Sequence, residues 1–193
     1  MDIILASTSP YRKRLLERLG VAFYCLPPDI DESPLHAEPP QDMARRLAQA
    51  KAQAIADIHP KSLVIGSDQV ASLDGGVMGK PGNHEVAAAQ LRASSGREVK
   101  FYTGLALVCS ERQLQRTHVE LFTAHFRSLT DQQINDYLQR EQPFDCAGSF
   151  KAEGLGIALF TGLQGNDPSS LEGLPLIALV ALLQEAGVEV LHG

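Results

Sequence analysis

The chain has 193 residues, 44% of them hydrophobic, which is enough to bury the core of one domain or of one domain with a smaller lobe. Its formal net charge of −6 argues against a nucleic-acid scaffold, because affinity for a polyanion requires a basic face. The longest apolar stretch, residues 174–183, is short for a membrane span, and the N-terminus lacks the basic start of a signal peptide. We therefore expect a cytoplasmic protein with neither a nucleic-acid nor a membrane partner.

The N-terminal segment predicts a strand, a hydroxyl-rich turn and a helix, in that order. Residues 1–7 are expected to form the strand, Ser9 and Pro10 suit the N-cap and the first helical position, and Gly20 closes the helix. The N–H groups of such a helix start favour an anion, and Arg12 would add a bidentate clamp for a phosphate. The alternative is a plain capped helix with a solvated basic face, but cations in a first turn oppose the helix dipole and so favour an anionic partner.

An acidic loop follows a second predicted strand over residues 21–26. It carries Asp29, Asp31 and Glu32, which a solvated acidic surface would explain most simply. The functional interpretation is a hard-cation site shared with Asp68, because Mg²⁺ binds one or two protein carboxylates and completes its shell with water and substrate phosphates.

A helix over 42–57 and a buried strand over 63–70 carry the next candidate residues. Lys51 lies beside the apolar face of the helix, so it is either a lysine that snorkels to solvent or a phosphate ligand. The strand predicts that Asp68 is delivered to a glycine-loosened turn at its carboxyl end, where open α/β sheets bind ligands. A turn aspartate that satisfies its own backbone is the alternative.

The loop over 74–82 contains Gly79 and Lys80 but is not a Walker A motif. That motif requires Ser or Thr after the lysine, and this chain has Pro81. Lys80 is either a point charge for a phosphate or an ordinary lysine at the tip of a turn.

The second half of the chain changes from strand–helix alternation to paired strands, which predicts a second lobe on the same sheet. The predicted elements are a helix over 84–94, a hairpin of strands over 98–108 and 115–126, a helix to 140 opened by a capping box at Thr130, and a helix over 174–185 that is apolar nearly all round and so buried. The glycine-rich stretch 144–156 has too many special residues for a linker. Cys25, Cys109 and Cys146 predict neither a disulfide framework nor a zinc site.

Six short motifs follow one another over essentially the whole chain: Ala6-Ser7-Thr8-Ser9-Pro10 with Arg12, Asp31-Glu32, Ala50-Lys51-Ala52, Gly66-Ser67-Asp68, Gly79-Lys80-Pro81 and Ala147-Gly148-Ser149. In this order they resemble the Maf family of nucleoside triphosphate pyrophosphatases. The resemblance implies one domain over 1–193 with an α/β fold similar to that of inosine triphosphate pyrophosphatases. We expect an elongated, mixed central sheet flanked by helices, two lobes with a cleft, and a homodimer.

The same resemblance implies metal-dependent hydrolysis between the α and β phosphates, which yields a nucleoside monophosphate and pyrophosphate. The expected catalytic residues are Asp68, Glu32, Lys51 and Lys80, the expected substrate-binding residues are Ser7, Arg12, Tyr11, Gln69 and Glu153, and Asp68 and Glu32 are expected to hold Mg²⁺ or Mn²⁺. The resemblance favours Asp68 as the proton acceptor, whereas the sequence leaves open whether Asp68 acts as base or as metal ligand.

Three positions point to a substrate within this family. Many members have arginine, threonine and glutamine where this chain has Tyr11, Gln69 and Glu153, and those members resemble thymidine and uridine triphosphatases. This chain instead resembles the branch that acts on 7-methyl-GTP. A carboxylate at Glu153 would accept both N–H donors of guanine, and Tyr11 would stack on the cationic base with about 0.5–2 kcal/mol. Gln69 would read another atom of the base edge.

Two alternatives stay open. One is a pyrophosphatase for dTTP and UTP, in which the three positions have merely drifted. The other is a nucleotide-binding regulator of cell division or septum formation that acts through a partner. The ionisable groups around Asp68 favour catalysis, because a simple binder needs cations but no additional carboxylate.

Overall fold

The computed structural model describes residues 1–191, so the last two positions of the predicted domain, His192 and Gly193, lie outside the described residues. Its strands are β1 (Ile3–Ala6), β2 (Tyr24–Leu26), β3 (Leu63–Leu73), β4 (Gly76–Met78), β5 (Glu98–Cys109), β6 (Leu114–Phe126) and β7 (Phe160–Gln164). Its α-helices are α1 (Pro10–Glu17), α2 (Pro40–Ile58), α3 (His84–Ser94), α4 (Asp131–Glu141) and α5 (Leu176–Glu185). Short 3₁₀ turns cover Ala147–Ser149, Leu155–Leu159 and Pro168–Glu172.

One mixed sheet organises the chain. Its strand order is β2-β1-β3-β5-β6-β7, and β4 also pairs with β3. The first three strands are parallel, whereas β3, β5, β6 and β7 are joined antiparallel. The predicted mixed α/β fold, with a central sheet flanked by helices, is confirmed.

The edge of β3 is interrupted at the point that matters for function. On that edge β1 pairs with residues 63–65, and β4 pairs with residues 71–73. Within the described chain no strand covers residues 66–70 on that side, where Asp68 lies. A groove therefore opens just beyond the carboxyl end of β1, which is where ligands bind in sheets of this kind.

Two glycines allow α2 to lie against the sheet. A Cβ atom on Gly66 would be 2.1 Å from the carbonyl oxygen of Ala48, and one on Gly104 would be 2.1 Å from that of Ala44. The prediction that the strand ends in a glycine-loosened turn at Asp68 is therefore wrong: β3 continues to Leu73, and Gly66 serves close helix packing. Asp68 lies inside the strand rather than at its end.

The hydrophobic core divides on either side of the groove. One cluster joins β1, α1 and α5 to the parallel part of the sheet, with Leu5, Leu16 and Leu179 among its buried residues. A second joins α3 and α4 to the antiparallel part, where Phe101 and Phe150 meet edge to face. Helix α2 packs on the same sheet through two further clusters, which include Ala52 and Leu47.

Several boundaries differ from prediction. The strand predicted over 21–26 begins only at Tyr24, because the register of β1 pairs Ile4 with Tyr24. Strands β4 and β7 were not predicted. The prediction that the last helix is buried all round is also wrong: α5 packs through one face, and Ile177 on the other face is 64% exposed. No helix within residues 1–191 combines the length and apolar character needed to cross a membrane.

Candidate active site

A cleft of about 610 Å³ opens at the interrupted edge of β3. It is lined by all nine residues predicted for the site: Ser7, Tyr11, Arg12, Glu32, Lys51, Asp68, Gln69, Lys80 and Glu153. Of the acidic loop, Glu32 lines this cleft, whereas Asp29 and Asp31 are not among its lining residues. The residues grouped by the sequence analysis therefore line one cleft, although the first and the last of them, Ser7 and Glu153, lie 146 positions apart in the chain.

The buried end of the cleft contains one cation between two carboxylates. Lys51 is only 5% exposed, and its Nζ lies 2.6 Å from Oδ1 of Asp68 and 2.8 Å from Oε1 of Glu32. Close packing of α2 on Gly66 brings the lysine to this depth. Lys51 therefore does not snorkel to solvent but bridges the two carboxylates.

The loop that carries Glu32 is fixed to α2 by an arginine. Arg46 donates to both carboxylate oxygens of Glu38, at 2.6 and 2.7 Å, and to the carbonyl oxygen of Ser33 at 3.1 Å. Asp31 accepts a hydrogen bond from the backbone of Ser33 at 2.9 Å, so its role in the structure is to shape the turn. These bonds hold Glu32 over the cleft.

The electrostatic environment favours the charged form of Glu32. Partial burial opposes ionisation, but the hydrogen bond from Lys51 and the charges of Lys51, Lys80 and Arg12 outweigh burial, so the pKa of Glu32 is lowered. Glu32 is therefore a carboxylate at neutral pH.

The donor atoms fit a hard divalent cation in part. Lys51 approaches Oδ1 of Asp68 and Oε1 of Glu32, and no protein hydrogen bond reaches the second oxygen of either carboxylate within the described residues. Two carboxylate oxygens suit Mg²⁺ or Mn²⁺ when substrate phosphates supply further ligands. In residues 1–191 no group of three or more His, Cys, Asp or Glu side chains forms a self-sufficient metal site.

The start of α1 forms another wall of the cleft. Ser9 caps the helix by accepting a hydrogen bond from the Arg12 backbone at 3.4 Å, and Ser7 Oγ accepts from the Ser9 backbone at 3.1 Å. Nε of Arg12 donates to the carbonyl oxygen of Gly173 at 2.8 Å, which leaves the two terminal nitrogens for a phosphate. Burial lowers the pKa of Arg12, while Asp68 and Glu32 oppose this shift.

Gln69 makes contacts that the sequence did not reveal. Its Nε2 lies 2.7 Å from the carbonyl oxygen of Ser170 and 3.2 Å from that of Leu171, in the turn Pro168–Glu172. Carbonyl oxygens only accept, so these neighbours fix the orientation of the amide. Of the two polar atoms of the Gln69 amide, only Oε1 is then left for the predicted contact with the nucleotide base. In the sequence, this turn is indicated only by Asp167-Pro168 followed by two serines.

Tyr11 already contacts a cation. The guanidinium of Arg14 lies 5.1 Å from the centre of its ring, so that cation occupies one face of the ring. Burial raises the pKa of the Tyr11 hydroxyl, and the nearby Asp145 and Glu153 carboxylates raise it further. Tyr11 and Glu153 both line the cleft and are close enough for the charge of one to affect the pKa of the other.

The outer walls include one exposed cation and several acidic groups. Lys80 lies exposed on the loop after β4, and Glu153 is exposed on the opposite segment. Asp145 and Glu172 also line the cleft and were not predicted as site residues. Burial, followed by the charge of Glu153, raises the pKa of Glu172, so these two carboxylates influence each other.

Lys151 lines the cleft, but its ammonium is engaged by the protein backbone. Its Nζ donates to the carbonyl oxygen of Glu141 at 2.9 Å, and its backbone N–H donates to the Tyr137 hydroxyl at 3.0 Å. Its contribution is to fix the segment that carries Glu153. The three cysteines are free thiols, and burial raises the pKa of Cys146, which lies in the cleft wall, to about 12.

Comparison with known proteins places this site in a family. The chain is 56% identical over 189 residues to a 7-methyl-GTP pyrophosphatase of Nitrosococcus oceani, which covers 98% of this chain and 95% of that protein. It is 53% identical over 190 residues to a 7-methyl-GTP pyrophosphatase of Vibrio vulnificus, with 98% and 97% covered.

The fold also resembles solved structures. A HAM1 protein from Coxiella burnetii has a TM-score of 0.54 at 16% identity, over 96% of this chain and 99% of that one. The Ham1 protein of Staphylococcus aureus has a TM-score of 0.50 at 14% identity, over 66% and 73%. Residues 2–186 match the Maf-like protein family, and together with the identity of more than half to full-length relatives this shows that the chain belongs to the Maf-like family.

Proposed function

We propose that this protein hydrolyses 7-methyl-GTP between its α and β phosphates, giving 7-methyl-GMP and pyrophosphate, and so clears a modified nucleotide. The relatives named 7-methyl-GTP pyrophosphatase support this assignment. The structural observation that carries it is the Lys51 bridge between Asp68 and Glu32, at the buried end of a cleft that also contains Arg12 and Lys80.

The cations of the cleft match a triphosphate. Such a ligand brings about four negative charges, and Arg12, Lys51 and Lys80 face it from three different segments. The terminal nitrogens of Arg12 form a planar fork for phosphate oxygens, because Nε is already held by Gly173. These fixed charges stabilise the negative charge that is redistributed in the transition state.

Asp68 is the proton acceptor in this proposal. Lys51 binds its Oδ1 and so fixes the orientation of the carboxylate. The other oxygen, Oδ2, accepts the proton of the attacking water. Glu32 would hold the divalent cation through its second oxygen, and the cation when bound neutralises phosphate charge and polarises the scissile phosphoryl group. Binding of the cation by Asp68 as well is the alternative to its role as base, because both uses require Oδ2. Lys51 keeps the two carboxylates near each other despite their mutual repulsion.

Base selection is assigned to the part of the cleft around Tyr11. The face of its ring opposite Arg14 stacks on the cationic 7-methylguanine, and Glu153 accepts the two N–H donors of the pairing edge. The Oε1 atom of Gln69 accepts a hydrogen bond, since its nitrogen is held by Ser170.

The decisive experiment is pyrophosphate release from purified protein with Mg²⁺ or Mn²⁺. The substrates are 7-methyl-GTP, GTP, UTP, dTTP and CTP. Preference for 7-methyl-GTP is expected. Preference for UTP or dTTP would retain the catalytic proposal and reject the specificity, while no turnover of any nucleotide would favour the regulator of cell division.

Two further properties belong to this proposal. A cytoplasmic location suits a nucleotide substrate, and a homodimer is implied by the family resemblance. Size-exclusion chromatography with light scattering tests the second property, for which a mass of about twice that of the 20.9 kDa chain is expected.

A further inference from the structure

Gln90 connects two walls of the cleft without lining it. It is half-buried on α3, and its Nε2 donates to the carbonyl oxygen of Gly79 at 3.0 Å. Its Oε1 accepts a hydrogen bond from Ser149 Oγ at 2.5 Å. One amide therefore bonds to the segment before Lys80 and to the segment before Glu153, with both of its polar ends in use.

The Lys80 side of this connection depends on hydrogen bonds. Gly79 directly precedes Lys80, and a Cβ atom at Gly79 would meet nothing within 4 Å, so packing does not fix that position. The second tie of the loop is the hydrogen bond from Gly82 N to the carbonyl oxygen of Phe144, at 2.9 Å. Gln90 is thus the side chain that restrains the backbone next to the lysine.

The Ser149 side contains two consecutive left-handed residues. Gly148 has a φ of 75° and Ser149 a φ of 61°, which is unfavourable for a residue with a side chain. Ser149 is completely buried, and its hydroxyl donates to Gln90. This bond helps to hold a turn whose next residue, Phe150, lines the cleft.

We propose that Gln90 is a positioning residue, which acts through the Gly79 carbonyl to place the Lys80 ammonium on the phosphates of the substrate. The same amide also bonds to the Ala147–Ser149 turn. The wall that carries Lys80 and the wall that carries Glu153 are thereby kept at a fixed separation. The inference rests on the proposed function insofar as Lys80 is taken as a phosphate ligand.

The test is equilibrium binding of inorganic tripolyphosphate, measured by calorimetry in the presence of Mg²⁺. Gln90→Leu preserves the volume and the helix preference but removes both hydrogen bonds, and it should weaken tripolyphosphate binding about fivefold, the effect of one lost hydrogen bond. Gln139→Leu is the control, because Gln139 is an exposed glutamine on α4. The midpoint of thermal unfolding is recorded for each variant.

A second comparison separates positioning from a general structural effect. If Gln90 acts through Lys80, then adding Gln90→Leu to Lys80→Ala should change the affinity less than twofold. Ser149→Ala breaks only the other arm and should keep tripolyphosphate affinity within about twofold of the parent, since the bond to Gly79 remains.

Several results would overturn the inference. One is an affinity for tripolyphosphate that is unchanged in Gln90→Leu, and another is a loss of affinity that is as large in the Lys80→Ala background as in the parent. A loss of affinity that accompanies a lower unfolding temperature, or a parent protein that does not bind tripolyphosphate, would also overturn it. The binding assay requires no turnover, so failure of the proposed hydrolysis would be seen separately, in the pyrophosphate assay.

Discussion

Asp68 and Lys51 illustrate how one residue pair decides the chemistry of the cleft. A buried lysine is costly unless it is paired, and here two carboxylates compensate for it. Removal of Asp68 leaves Glu32 as a partner, so the lysine stays compensated while the proposed acceptor for the water proton is lost. Function and stability are therefore separable at this position.

Replacement of Asp68 by Asn should abolish most of the turnover. We expect kcat/KM for 7-methyl-GTP to fall by roughly 10²–10⁴, the usual contribution of a general base, while the affinity for nucleotide is retained. Asp57→Asn is the matched control, because Asp57 is an exposed carboxylate of α2 that bonds only to Gln53. Full activity in Asp68→Asn would rule out a role for Asp68 as proton acceptor.

Replacement of Glu153 by Gln tests the base recognition. A neutral amide cannot accept two N–H donors as the carboxylate does, so the ratio of kcat/KM for 7-methyl-GTP to that for UTP should fall about tenfold. Glu111→Gln, at an exposed turn, is the control. If the ratio is the same in Glu153→Gln and the parent, the carboxylate does not select the base.

At the level of elements, the position of α2 determines whether the site exists. The helix supplies Lys51, while β3 supplies Asp68, and the two side chains meet because Gly66 and Gly104 let the helix backbone approach the strands. Helix placement and catalysis are thus linked through residues that do no chemistry.

The variant Gly66→Ala should disturb both the placement of α2 and catalysis. Its Cβ would overlap the carbonyl oxygen of Ala48, and we expect the free energy of unfolding to fall by about 1–3 kcal/mol and kcat/KM to fall with it, because Lys51 is displaced. Gly162→Ala on β7 is the control, as its Cβ would lie 3.8 Å from His125, an ordinary contact. Denaturant titration and the pyrophosphate assay measure the two effects. Wild-type stability in Gly66→Ala would show that α2 can shift without cost.

What the sequence predicted at this level follows from local physics. The start of α1 and the capping box at Thr130 were confirmed because both depend on neighbouring residues. The continuation of β3 was missed, since the polar residues after Gly66 suggest a turn when the covering helix is unknown. The bonds of Gln69 to Ser170 join positions 101 residues apart, and no local pattern indicates them.

For the whole molecule, the cleft is lined by elements that pack in different hydrophobic clusters on one sheet. Arg12 belongs to α1, in the cluster of the parallel strands, and Lys51 belongs to α2, whose own clusters join it to β1, β3 and β5. Lys80 and Glu153 follow β4 and the Ala147–Ser149 turn, on the side of the antiparallel cluster. A nucleotide that contacts both sets would stabilise the complete fold rather than one lobe.

Binding of 7-methyl-GTP to the inactive Asp68→Asn variant should therefore raise its unfolding temperature. A ligand at one hundred times its Kd adds about 2.7 kcal/mol, which corresponds to roughly 5–10 °C for a domain of this size. GTP at the same concentration lacks the charge on the base and should give a smaller shift, and hydrogen exchange should slow in α2 and in α3. Equal shifts for both nucleotides would show that the methylated base is not recognised, and protection confined to α2 would show that the ligand does not reach the cluster that contains α3.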